Sequence, residues 1–149
     1  MRKGLYFVLF LVSLVGSSGQ ARATTPRDIT IAQHTSRGCV TPCVFAATGA
    51  LTDSGTVTLD AEHDSAIPSP VVGTAHFVRT LHGQLGTLTI QLNTLLTPTD
   101  VPWLLHEQGR WVLVDATGAY AGLQGEGEES GTRDFRLMRL DVVYTGQVH

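Results

Sequence analysis

From Gly86 to Leu96 the chain reads GTLTIQLNTLL, with Leu88, Ile90 and Leu92 on one parity and Thr87, Thr89, Gln91 and Asn93 on the other. A period of two is the signature of a strand with one buried face. The same alternation appears in SGTVTLD, residues 54–60, where Val57 and Leu59 oppose Thr56 and Thr58. Further strands are expected at Val44–Leu51, Val71–Gly83, Arg110–Asp115, Ala119–Glu128 and Asp134–His149, with a shorter one at Ile29–Ala32. Turn residues separate them, as in TDSG after Leu51. No stretch keeps a 3.6-residue period for three turns. Seven or eight short strands imply an antiparallel sandwich or barrel. The expected fold is all-β: a single antiparallel β-barrel of about eight strands, which either fills with side chains or holds one small ligand.

The first 23 residues stand apart from this pattern. Arg2 and Lys3 precede an apolar run from Leu5 to Val15, and Ala21-Arg22-Ala23 resembles a signal-peptidase site. The run is short for a bilayer span. The expected organisation is a signal peptide at 1–23, a flexible lead-in at 24–42 and the barrel at 43–149. The expected location is secreted, periplasmic or extracellular.

Cleavage changes the charge. The chain has 10 Lys and Arg against 13 Asp and Glu. Loss of Arg2, Lys3 and Arg22 leaves seven arginines, no lysine and a net charge of −6. An acidic chain without a basic stripe points away from nucleic acid and from anionic membrane surfaces. No cofactor is implied. The two cysteines, Cys39 and Cys43 in GCVTPC, fit a small disulfide ring in an oxidising compartment. Zinc normally takes four ligands, and no second pair exists.

The glycines Gly118, Gly122, Gly125, Gly127 and Gly131 follow an apolar strand. A phosphate loop would need a helix after them, but Glu126, Glu128 and Glu129 follow instead. A strongly coiled barrel strand accounts for the pattern, with Gly118 at positive φ in the preceding turn and small residues admitting a close neighbour.

That stretch, ATGAYAGLQGEG, resembles the turn-and-strand signature of the allene-oxide-cyclase-like and dirigent-like β-barrel superfamily. GALTDSGTVTL, LHGQLGTLTIQL, GRWVLVDATGAYAGLQGEG and YTGQV follow in the matching order, so the likeness covers roughly residues 44–148. The resemblance implies an allene-oxide-cyclase-like barrel. It also admits isomerase or cyclase chemistry in which an apolar cavity folds a flexible substrate.

Several residues are candidates for chemistry. Glu126 and Glu128 share a strand face. Facing inward they would raise each other's pKa as an acid–base pair; facing outward they are solubilising charges. The outward placement is expected, because Leu123 and the small residues occupy the other face. Glu62, His63 and Asp64 sit together, but neighbours on an extended chain point opposite ways. His76 and His82 lie about 20 Å apart on one strand, too far to share a metal. No metal site is expected. Leu95–Gly109 reads as a long apolar connection containing Trp103, Leu104 and Leu105. It is either a lid over a ligand or a local packing or dimer contact. Trp103, Leu104, Leu105 and Tyr120 are the candidate ligand contacts.

Three functions remain open at this point: a barrel binding a small apolar molecule, an isomerase or cyclase, and a structural barrel with a filled core. The barrel interior distinguishes them. A cavity with buried carboxylates would favour the enzyme, a dry apolar cavity the binding protein.

Overall fold

The computed structural model describes residues 25–35, 43–64 and 73–149, with the side chains of 61–64 left aside. The expected signal peptide and Cys39 fall outside these residues. The strands are β1 (Arg27–Thr35), β2 (Cys43–Gly49), β3 (Asp53–Asp64), β4 (Gly73–Gly83), β5 (Thr87–Pro98), β6 (Leu104–Ala116), β7 (Gly125–Asp134) and β8 (Arg139–Val148). Each pairs antiparallel with its sequence neighbour, and β1 pairs with β8 from Arg27↔Val148 to Thr35↔Leu140, closing the barrel. Closure gives every strand a hydrogen-bonded neighbour on both sides, which limits the sheet edge that could recruit another chain.

Alternation along each strand builds the interior. Ile29 and Ile31 of β1, Phe45 of β2, Phe77 and Leu81 of β4, Leu88, Ile90 and Leu92 of β5, and Val142 and Tyr144 of β8 all point into the core. Trp111 of β6 is the bulkiest of the buried side chains. It lies where β7 and β8 present Gly127 and Gly146. A Cβ at Gly127 would stand 2.7 Å from Trp111 Nε1, and one at Gly146 would stand 2.7 Å from Trp111 Cζ2. The indole N–H donates to the Thr145 carbonyl at 3.2 Å. Each Cβ would also meet the neighbouring strand's backbone, at the Thr145 and Glu126 carbonyl oxygens respectively, so these glycines make room both for the indole and for the close approach of β7 to β8.

Four sequence expectations change. The lead-in at 24–42 is not flexible throughout, because Arg27–Thr35 is the strand that closes the barrel. Its inner face carries Gln33 and Thr35 beside Ile29 and Ile31, so its apolar alternation stops halfway. The connection Leu95–Gly109 is a hairpin, with β5 running to Pro98 and β6 starting at Leu104. Pro98 is tolerated because it ends its strand, and Pro102 sits in the turn. β7 begins at Gly125 rather than Ala119, since Gly118–Tyr120 forms a single 3₁₀ turn. Asp134–His149 is divided by a turn at 135–138, where Asp134 Oδ1 accepts the N–H groups of Arg136 at 2.8 Å and Leu137 at 2.9 Å.

The hairpin loops separate two ends. At one end lie the β2–β3, β4–β5 and β6–β7 connections. Tyr120 turns inward here and is 4% exposed, and its hydroxyl donates to Asp53 Oδ2. Asp53 also accepts the N–H groups of Ser54, Gln84 and Leu85. This end is closed. The other end carries the β5–β6 and β7–β8 turns and, among the described residues, opens on a cavity.

Candidate functional site at the open end of the barrel

Charged and polar side chains occupy the core-facing parity in the half of the barrel nearest the open end. Arg79 follows Ala75 and Phe77 on β4, Glu107 precedes Gly109 and Trp111 on β6, and Glu129 follows Gly125 and Gly127 on β7. Period-two alternation turns all three inward. They are 3%, 0% and 2% exposed respectively.

Their hydrogen bonds form one network. Arg79 Nη1 donates to Tyr144 Oη and, at 3.4 Å, to Gln33 Oε1. Tyr144 Oη donates to Gln33 Oε1 at 2.7 Å. Thr94 Oγ1 donates to Glu129 Oε2, and Arg133 Nε donates to Glu107 Oε1. Glu129 Oε1 lies 3.8 Å from Arg79 Nη1. That oxygen and Glu107 Oε2 accept no hydrogen bond among the described residues. The Phe77 ring has the Arg79 guanidinium 4.9 Å and the Arg133 guanidinium 5.1 Å from its centroid, both within cation–π range.

Burial shifts these groups. It pushes the Glu129 carboxyl up, Arg79 and Thr94 pull it down, and the result lies above the usual carboxylate range. Burial likewise raises the Tyr144 hydroxyl, which stays a neutral donor. Burial works against the Arg79 charge, but Tyr144, Glu129 and Glu107 outweigh it and keep the guanidinium protonated. Buried ion pairs rarely add much stability over apolar packing, so a network of this kind is a functional-site candidate.

A cavity of about 220 Å³ opens beside it. Gln33, Val57, Arg79, Arg133 and Leu140 line its wall. Leu59, Phe135 and Met138, all exposed, form an apolar rim. Buried Cys43 also faces it. Neither Glu107 nor Glu129 is part of the wall; among the described residues the charged groups facing the void are Arg79, Arg133, Arg139 and Asp134.

The sequence candidates are distributed differently. Glu126 and Glu128 are exposed on the outer face, as their parity implied. Glu62 pairs in register with Phe77, and its side chain is outside the described residues, as are those of His63 and Asp64. Trp103 is 41% exposed in the β5–β6 turn, with the Arg136 guanidinium 5.2 Å from its ring centroid. Leu104 and Leu105 are half-buried, and Leu105 packs against the core. Tyr120 belongs to the closed end, so the four candidate ligand contacts do not come together. His76 and His82 lie on the outer surface, beside Asn93 and Thr58. Among the described residues no group of three or more His, Cys, Asp or Glu is placed to hold a metal.

Arg79, Glu107, Glu129, Gln33 and Tyr144 were not among the sequence candidates. A usable signal existed: each carries a polar group on the parity that is otherwise apolar or glycine. No known protein family matches the chain, and no curated protein or solved structure matches it.

Proposed function

We propose that the protein is an exported β-barrel of the allene-oxide-cyclase-like type that holds a small, largely apolar molecule at the open end of its barrel. The observation that carries this reading is the cavity wall, where Val57 and Leu140 offer apolar surface beside the polar groups of Gln33 and Arg79. A concave apolar site with a few convergent polar groups is the usual form of a small-molecule pocket. The void argues against a barrel filled for structure alone. The N-terminal pattern supports export with a mature chain beginning at Thr24, and a Cys39–Cys43 disulfide would pin the chain beside the cavity. Neither nucleic acid nor membrane is needed for this role.

The test is a titration with benzyl alcohol followed by backbone amide chemical shifts. Shifts concentrated at Gln33, Val57, Arg79 and Leu140 are expected. Shifts scattered over the outer face, or none, would overturn the reading.

A second reading, an isomerase or cyclase, is favoured by Glu129 alone, whose pKa burial shifts upward, the direction a general acid needs. It ranks second because the carboxylate stands behind Arg79 and not on the cavity wall.

A further inference from the structure

We infer that the cavity takes a compact monocarboxylate, with its carboxylate seated on Arg79 and its apolar body against Val57 and Leu140. This deepens the binding function proposed above and rests on it.

Arg79 has donors to spare. Its hydrogen bonds within the protein leave from one nitrogen, Nη1. Its Nε and Nη2 groups donate to no side chain among the described residues, although the residue is 3% exposed and lines the cavity. The fully buried side-chain atoms without a partner among the described residues are Glu107 Oε2 and Glu129 Oε1, so these two nitrogens of Arg79 keep access to the void and to an acceptor placed in it. The planar guanidinium edge matches two carboxylate oxygens.

The internal counter-ion is incompletely engaged. Glu129 could neutralise Arg79 outright, yet Thr94 holds its other oxygen and Oε1 stops at 3.8 Å, outside hydrogen-bond distance. The pairing is partial, and an acceptor arriving from the cavity side completes it. Of the other arginines on the described lining, Arg133 is held by Glu107 and Arg139 by Asp141, so the preference for an anion rests on Arg79. A dianionic phosphate would meet Glu129 and Glu107 behind Arg79, whereas a single negative charge does so at lower cost. The volume, about 220 Å³, corresponds to roughly seven waters and limits the body to a compact group.

Glu129 responds to such a ligand. It faces Arg79 from β4, Thr94 from β5, Glu107 from β6, Arg133 from its own strand and Tyr144 from β8. A bound carboxylate takes up the charge of Arg79 that pulls the Glu129 pKa down, leaving burial to push that carboxyl further up. Glu129 then takes a proton from solvent as the ligand binds. Affinity accordingly rises as pH falls toward the folded-state ionisation of Glu129, which burial holds above its usual value, while the ligand's own ionisation lies at about 4.

Isothermal titration of the protein with benzoate, benzamide and benzyl alcohol tests this. Benzoate is expected to bind about tenfold more tightly than either neutral probe, the size of one charge-assisted hydrogen bond. Its heat should depend on the buffer's ionisation enthalpy in the sense of proton uptake. Glu129→Gln, which imitates the protonated acid, should bind benzoate several-fold more tightly at the alkaline end of the titration, where the parent's Glu129 is ionised, and lose the buffer dependence. A gain of this kind cannot come from misfolding. Arg79→Gln should lose the preference for benzoate. Benzyl alcohol binding as tightly as benzoate would overturn the carboxylate inference and leave the binding site standing. Failure of all three probes would remove the site itself. Unchanged or weaker benzoate binding by Glu129→Gln would overturn the role given to Glu129.

Discussion

Arg79 Nη1 and Glu129 Oε1 face each other across 3.8 Å inside the closed barrel, an ion pair without a hydrogen bond. The separation sets how the protein responds to pH. Burial raises the Glu129 pKa more than Arg79 and Thr94 lower it. A raised folded-state pKa gives stability that is full below the unfolded value and is lost as pH rises through the folded one. The stability of the parent relative to Glu129→Gln should therefore fall as pH rises from the usual carboxylate range. Urea unfolding of both proteins across that range measures it. A difference that stays flat or grows with pH would show that Glu129 ionises as readily folded as unfolded.

Tyr120 and Asp53 hold the closed end from positions 67 residues apart. Burial pushes the Asp53 carboxyl up, but hydrogen bonds from Tyr120, Ser54, Gln84 and Leu85 outweigh it and hold the pKa below its usual value. The stability this supplies is present above the unfolded pKa and is lost as pH falls through the folded one. Tyr120→Phe should cost about 1 kcal/mol and Asp53→Ala about 2 kcal/mol, because the latter leaves several backbone N–H groups without their acceptor. Thermal unfolding at neutral pH reads both, and equal losses would contradict the assignment.

Gly118 has φ +63°, and a Cβ there would meet the Leu85 carbonyl oxygen at 2.5 Å. Gly118→Val should cost about 1–3 kcal/mol through backbone strain. Gly127→Ala should cost about 1–3 kcal/mol by overpacking and should shift the emission of Trp111, whose ring fills that space. Glu128→Gln, on the outer face, should stay within about 0.5 kcal/mol of the parent. A strongly perturbed Glu128→Gln beside parent-like glycine variants would invert the faces of β7.

The barrel is legible where alternation is unbroken. Leu88, Ile90 and Leu92 place β5 without any tertiary information. It is obscured where the inner face turns polar. Gln33 and Thr35 make half of β1 resemble a linker, and Glu107 breaks the apolar row that would have placed β6. The candidate site was hidden for the same reason. Glu129 sits next to Glu128, and one residue of parity separates a solvated charge from a buried one. Arg79 was visible as the one charge on the apolar parity of β4, but its partners Tyr144, Gln33 and Glu129 come from three other strands. Their meeting is fixed by barrel closure and register, which no local pattern encodes. Trp103 and Tyr120 illustrate the converse: both look like ligand contacts, and closure sends them to opposite ends.

The central claim is that the open end of the barrel holds a ligand cavity bounded by Val57, Arg79 and Leu140. Crystals soaked with 4-bromobenzyl alcohol test it directly through the anomalous signal of bromine. The account predicts a bromine peak inside the barrel mouth, within van der Waals contact of Val57 or Leu140. A mouth filled by the protein's own side chains, with bromine only on the outer surface or absent, would contradict it.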